Sequence, residues 1–191
     1  MKSEMDSMGS NQVCTLVYPP KGTRPVGCKW VYKRKLGADG EVMAFKAKLV
    51  AKGYTQRPRV DFEETYSPVP MAESIRIRLA ITAWYDYEIW QMDVKTAFLN
   101  GLVEEDIFMD QSKGFTAVGE EQKVYRLRRS IYGLKQTSRS WNTYFDEVKQ
   151  GYDFIKNDND PCIYKKISGS SVAYLVLYVD VIYSLRMMLR C

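Results

Sequence analysis

CIYKKISGSSVAYLVLYVD, residues 162–180, holds two strand-like runs, Cys162–Ile167 and Val172–Asp180, joined at Ser168-Gly169-Ser170-Ser171. Small residues around a glycine make that joint a turn, so the runs predict an antiparallel hairpin. The second run is apolar nearly throughout, as expected of a central strand covered on both faces, and it closes on a carboxylate, Asp180. Upstream, Cys28–Lys35 and Val42–Ala51 flank Ala38-Asp39-Gly40 and predict a second hairpin. Glu88–Val94 and Val124–Leu127 read as further short strands. Ala72–Tyr85 carries Ile75, Leu79 and Ala83 at four-residue spacing, which predicts a helix packed on a core. Trp141, Tyr144, Phe145 and Val148 recur at i, i+3, i+4 and i+7, the stripe of a second helix. Thr96–Asn100 starts a helix-like turn that Gly101 stops. Hairpins interspersed irregularly with helices give an α+β class. Residues 1–20 are polar, end in Pro19-Pro20 and read as a loosely held lead-in.

The chain has 191 residues, 46% apolar and 27% charged, ample for a real core. Its longest apolar run, near Val172–Val179, is too short to span a bilayer, so no membrane partner is expected. There is no histidine, which removes Ser-His-Asp and Cys-His catalysis and His-ligated zinc. Cysteines at 14, 28, 162 and 191 form no C-x-x-C pair, so neither a zinc site nor a redox motif is indicated, and such scattered thiols suit a reducing compartment. The net charge of +5 is unevenly spread. Between Lys21 and Arg59 eleven basic residues face two acidic ones, a net +9, whereas from Val60 onward sixteen face nineteen, a net −3. A basic first third on a mildly acidic body suggests either a lobe that meets a polyanion or a solvated lysine-rich hairpin.

Without histidine, carboxylates are the strongest catalytic candidates. Asp93 closes Ile89-Trp90-Gln91-Met92, and Asp180 closes Leu175–Val179. An ionised carboxylate at the end of a buried strand needs a partner, and a metal ion is one. Two aspartates on adjacent strand ends can hold Mg²⁺ ions about 3.5–4 Å apart for phosphoryl or nucleotidyl transfer. The other reading is that each merely ends a strand or caps the next turn.

Six blocks, in order, carry a resemblance: Gly27–Lys33, Phe45–Gln56, Glu63–Val69, Gln91–Gly101 (QMDVKTAFLNG), Ser130–Gln136 (SIYGLKQ) and Leu177–Asp180 (LYVD). Together they resemble the reverse transcriptase of copia-type LTR retrotransposons. The resemblance implies an RNA-directed DNA polymerase of right-hand form, with fingers at 21–87 and a palm at 88–182 with an inserted fingers segment; the family's thumb is expected to be absent from this sequence. Its palm would be a ferredoxin-like antiparallel sheet with helices on one face. The resemblance implies Asp93 and Asp180 as catalytic residues and Asp93, Val94 and Asp180 as the holders of two Mg²⁺ ions. Lys46 and Lys48 would meet the triphosphate or template backbone, and the backbone of Lys95, Thr96 and Ala97 would cradle the triphosphate. Phe98 would lie beneath the incoming sugar, where its ring would reject a 2′-hydroxyl. Gly133 and Lys135 would lie against template and nucleotide, and Lys33, Arg34, Lys35 and Lys52 would grip nucleic acid. The implied partners are an RNA template, a DNA primer and a dNTP, and the implied setting is a cytoplasmic virus-like particle.

Departures from the family are specific. Its signature is Tyr-Val-Asp-Asp, but Val181 follows Asp180 here, so one of three carboxylates is missing and Mg²⁺ should be held poorly. Cys14 stands where the family usually has tryptophan, Thr137 replaces a small residue, and Lys149–Tyr152 departs locally. After Ile182 the chain runs YSLRMMLRC (183–191), an aberrant tail that a shifted reading frame would explain. These departures favour a catalytically dead remnant with at most nonspecific nucleic-acid binding. The aberrant tail also predicts that Val172–Asp180 lacks a good neighbour on one side.

Overall fold

A computed structural model describes residues 1–116 and 118–187. In chain order its elements are α1 (Lys2–Ser10), β1 (Cys14–Val17), β2 (Cys28–Leu36), β3 (Val42–Ala51), a 3₁₀ turn (Gly53–Thr55), α2 (Ala72–Tyr85), β4 (Tyr87–Asp93), α3 (Ala97–Asn100), β5 (Phe108–Met109), β6 (Val124–Leu127), α4 (Thr137–Gln150), β7 (Ile155–Lys156), β8 (Ile163–Ser168), β9 (Ser171–Tyr178) and β10 (Val181–Met187). The class is α+β, with antiparallel pairing between all these strands. Two compact units divide the chain: residues 1–65 with 98–141, and residues 66–97 with 142–191.

In the first unit a three-stranded sheet runs β1-β6-β5, and β2 and β3 form a separate two-stranded ribbon. The ribbon's turn works as its sequence predicts: Gly40 takes φ +81°, and Asp39 Oδ1 accepts the Glu41 N–H at 3.1 Å. Met8, Val13, Leu49, Leu99, Met109 and Ile131 pack into one core beneath these elements. Residues 1–20, expected as a loose lead-in, instead supply α1 and β1. Met8 and Val13 are both buried, two apolar anchors that the polar composition around them conceals. Burial raises the thiol of Cys14 to about 11, and that of Cys28 also rises, so both stay protonated at neutral pH.

In the second unit a five-stranded sheet runs β4-β10-β9-β8-β7. The expectation that β9 lacks a neighbour is overturned. The segment 181–187 forms β10, which pairs with β9 on one side and with β4 on the other, and Ile182 and Leu185 are buried. Of the aberrant tail, residues 188–191 lie outside the described residues. β9 places Leu175 and Leu177 on one face and Val176 on the other, so both faces need cover. Helices accordingly touch both faces rather than one: Phe145 of α4 meets Tyr164 edge-on at 5.3 Å, while Ile75 and Leu79 of α2 lie on the side of Ile89, Val176, Tyr183 and Leu185. That second side is incompletely filled, with an apolar groove of about 440 Å³. α2 forms over the expected residues, but its expected core face is not buried. Ile75 is half-buried, Leu79 and Ala83 are exposed, and among its described residues only Thr82 is buried.

Candidate active site

The second unit brings the two aspartates to one end of adjacent strands. Asp93 is the last residue of β4, and its cross-strand partner in β10 is Val181. Asp180 sits in the two-residue turn between β9 and β10, where its carbonyl accepts the Val94 N–H at 3.2 Å. That turn is strained. Val179 takes φ +58°, the left-handed value for which such turns ordinarily use glycine, and a β-branched residue there costs about 1–3 kcal/mol. Thr96 is also left-handed, at φ +53°, with its hydroxyl donating to the Lys95 carbonyl at 2.7 Å. Lys95 is exposed and Ala97 is buried.

The first unit holds the remaining candidates. The ribbon register sets Lys33 directly opposite Lys46 and Val31 opposite Lys48. Side chains alternate along each strand, so Lys29, Lys33, Lys35, Lys46 and Lys48 share one face. Arg34 pairs with Phe45 on the other face, apart from the lysines it was grouped with. Like charges directly opposite one another destabilise a ribbon unless a polyanion neutralises them. At the ribbon's root Lys48 Nζ lies 3.8 Å from the centre of the Tyr132 ring, and Tyr132 meets Phe98 edge-on at 5.3 Å. A cation, an aromatic face and a second ring thus stand in series. Gly133 takes φ +93°, and Ala51 donates its N–H to the Tyr132 carbonyl at 2.8 Å. The exposed Lys135 donates its backbone N–H to Gln56 Oε1 at 2.8 Å, and Lys52 donates its N–H to the Gly27 carbonyl at 2.7 Å.

Residues 11–187 match the family model described as reverse transcriptase (RNA-dependent DNA polymerase). The chain belongs to the reverse transcriptase family. It is 44% identical over 181 residues to the retrovirus-related Pol polyprotein from transposon TNT 1-94 of Nicotiana tabacum, covering 94% of this chain and 14% of that protein. To the retrovirus-related Pol polyprotein from transposon RE2 of Arabidopsis thaliana it is 38% identical over 181 residues, covering 94% and 12%. The transposon Ty5-1 protein YCL074W of Saccharomyces cerevisiae is 32% identical over 89 residues, 47% of this chain and 29% of that protein. The chain therefore spans about one-seventh or less of the Pol polyproteins it matches.

Reverse transcriptases use divalent metal ions, and the donor set here can be weighed against that need. Asp93 and Asp180 carry hard carboxylate oxygens, the donor type that Mg²⁺ prefers, at one end of neighbouring strands. Among the described residues no group of three carboxylates or thiols stands close enough to hold an ion. The residue directly across from Asp93 is the neutral Val181. No helix among the described residues is long and apolar enough to cross a membrane.

Three residues of this reverse transcriptase domain were not singled out from sequence. Tyr132 is the ring beneath Lys48. Gln56 and Gln136 are both buried and bond to each other, Gln56 Nε2 donating to Gln136 Oε1 at 3.1 Å, while Gln136 Nε2 donates to the Asp61 carbonyl at 3.1 Å. These amides join the loop after the ribbon to the SIYGLKQ block. A buried glutamine is a signal only once its partner is known, and this pair lies 80 residues apart.

Proposed function

We propose that this chain is a reverse transcriptase domain whose nucleic-acid-binding lobe has outlasted its chemistry. The first unit serves as fingers and the second as palm, which assigns α2 to the palm. The observation that carries the reading is Val181 opposite Asp93, which leaves two carboxylates where the family signature has three. The family reaction is attack of a primer 3′-hydroxyl on the α-phosphate of a dNTP. A bound Mg²⁺ would neutralise phosphate charge and favour the ionised hydroxyl. Asp93, Asp180 and the Val94 carbonyl would hold one such ion. Each unit keeps its own share of the family's roles: in the second the backbone of Lys95, Thr96 and Ala97 would serve the triphosphate, and in the first Phe98 would serve the sugar and Gly133 and Lys135 the template. Too little negative charge remains to retain the ion firmly, so turnover falls before binding does.

Primer extension on poly(rA)·oligo(dT), with Mg²⁺ and then Mn²⁺, tests this. The natural chain is expected at or near background, and Val181→Asp to raise extension at least about tenfold, since metal affinity at oxygen sites follows ligand charge. A second readout is thermal stability. An aspartate at 181 lies about 4.5–5.5 Å, Cβ to Cβ, from Asp93 and repels it, so the variant should melt lower without divalent ions and recover with Mg²⁺. Robust extension by the natural chain in Mg²⁺ overturns the proposal. A Val181→Asp variant that regains neither activity nor a Mg²⁺-dependent melt moves the fault away from the charge count.

Binding is predicted to survive through the lysine face of the ribbon. Weak, sequence-independent association with single-stranded RNA and DNA should weaken steeply with salt. The triple variant Lys33→Gln/Lys46→Gln/Lys48→Gln should flatten the log K against log[salt] slope by about 2–3, one phosphate per lysine, measured by fluorescence anisotropy. Arg34→Gln, on the other face, should change it by less than about 1. Equal effects from the two variants would remove the lysine face from this role.

A further inference from the structure

In the second unit the segment Tyr66–Met71 (YSPVPM) ties two distant turns together. At one end the Tyr66 hydroxyl lies 3.5 Å from Cys162 Sγ; burial raises both groups above their ordinary values, so both are neutral at neutral pH. At the other end the Met71 N–H donates to Asp160 Oδ2 at 2.9 Å. Asp160 is 2% exposed, and its second oxygen, Oδ1, accepts the Cys162 N–H at 3.1 Å. Both carboxylate oxygens are therefore committed to backbone amides, one on each of the two segments they join. Between the ends, Pro68 and Pro70 are buried, and the Pro68 carbonyl accepts the Val179 N–H at 2.8 Å. Val179 is the strained residue of the turn that carries Asp180.

A left-handed valine persists only where its surroundings hold it. The prolines limit the freedom of the segment, and Asp160 fixes where its end lies, so the position of the Pro68 carbonyl is set from Asp160. We propose that Asp160 is a positioning residue for the Asp180 turn: through Met71 and Pro68 it holds Val179 left-handed and so aims the Asp180 carboxylate. The structural part stands on the hydrogen bonds alone, and its consequence for metal holding rests on the reading of Asp93 and Asp180 given above.

The test uses Met71→Pro and Asp160→Asn. Met71 has φ −65°, the value proline imposes, so Met71→Pro deletes the N–H donated to Asp160 while keeping the local backbone. Asp160→Asn leaves one acceptor oxygen for two amides and should act in the same direction more weakly. The readout is amide hydrogen exchange by NMR. Val179 is expected to exchange at least about tenfold faster in Met71→Pro, while Leu175, in the body of β9, keeps its protection. Unchanged exchange at Val179 overturns the proposal. So does loss at Leu175 in step with Val179, which would make Asp160 a support of the whole sheet. Mn²⁺ binding, followed by water-proton relaxation, separates this proposal from the metal reading. Weaker binding in Met71→Pro than in the natural chain is expected, and unchanged binding despite faster Val179 exchange removes the positioning role. Faster Val179 exchange in a protein whose natural form binds no Mn²⁺ leaves the tie standing and sinks the metal reading.

Discussion

Leu185→Asp is expected to unfold the five-stranded sheet at ordinary temperatures or bring it close to doing so. Leu185 is 3% exposed and packs with Ile163 and Val176, flanked by Tyr87, Tyr174 and Tyr183. It lies in β10, which has a strand on either side, and it is buried beneath an apolar groove, so a charge there meets apolar walls and no partner. An unpartnered buried carboxylate costs about 4 kcal/mol or more, against a total stability of about 5–15 kcal/mol for a typical domain. For a chain of this size the loss is a fall in melting temperature of about 10 °C or more. Leu185→Ala should lose about 2–5 kcal/mol through the cavity alone. Arg186→Gln, at the exposed next position, should lose less than about 1 kcal/mol. Urea titration followed by far-ultraviolet circular dichroism measures all three. A loss below about 1 kcal/mol for Leu185→Asp would mean that β10 is not an interior strand.

That strand marks where reading the sequence went wrong, and the reason is physical. Tyr183-Ser184-Leu185-Arg186 alternates apolar and polar, the period of a strand with one covered face, and the structure places Tyr183 and Leu185 together on the apolar side. Comparison with the family's usual continuation made the segment look foreign, although its alternation satisfies β9 and β4 whatever its ancestry. Local chemistry made the two hairpins legible, since a turn residue set between runs of the right period fixes both strands and register. α2 was legible as a helix and illegible as to its face. Ile75, Ile77, Leu79, Ile81 and Trp84 spread around its circumference, and a spacing of four selects only one subset.

Of the candidate site, only the position of Asp93 and Asp180 at neighbouring strand ends was readable, because each ends an apolar run and strand ends meet where strands pair. The lysine face was half-readable. Composition placed the charge on the hairpin, but only the register shows that Lys33 faces Lys46 while Arg34 turns away. The Gln56–Gln136 pair and the Asp160 tie were not readable, since their partners are far apart in sequence and no periodicity links them.

Gly133→Ala should cost the first unit about 3–5 kcal/mol and should weaken nucleic-acid binding more than Lys48→Gln does. Two independent effects add at this position. Its φ of +93° is strained for any residue with a Cβ. A Cβ built there also meets the Ala51 carbonyl oxygen inside any allowed contact and lies 2.7 Å from Val50 Cγ1. The first obstacle is backbone within the ribbon root and cannot turn aside, so β3 and the 131–134 loop must separate. The bond from the Ala51 N–H to the Tyr132 carbonyl goes with them, and Tyr132 moves from beneath Lys48. Asparagine distinguishes the two causes. It tolerates left-handed backbone better than alanine but carries the same Cβ. If conformation dominated, Gly133→Asn would recover much of the loss. The contact geometry says that Gly133→Asn stays within about 1 kcal/mol of Gly133→Ala by urea denaturation, because a Cβ of either residue runs into the same carbonyl oxygen.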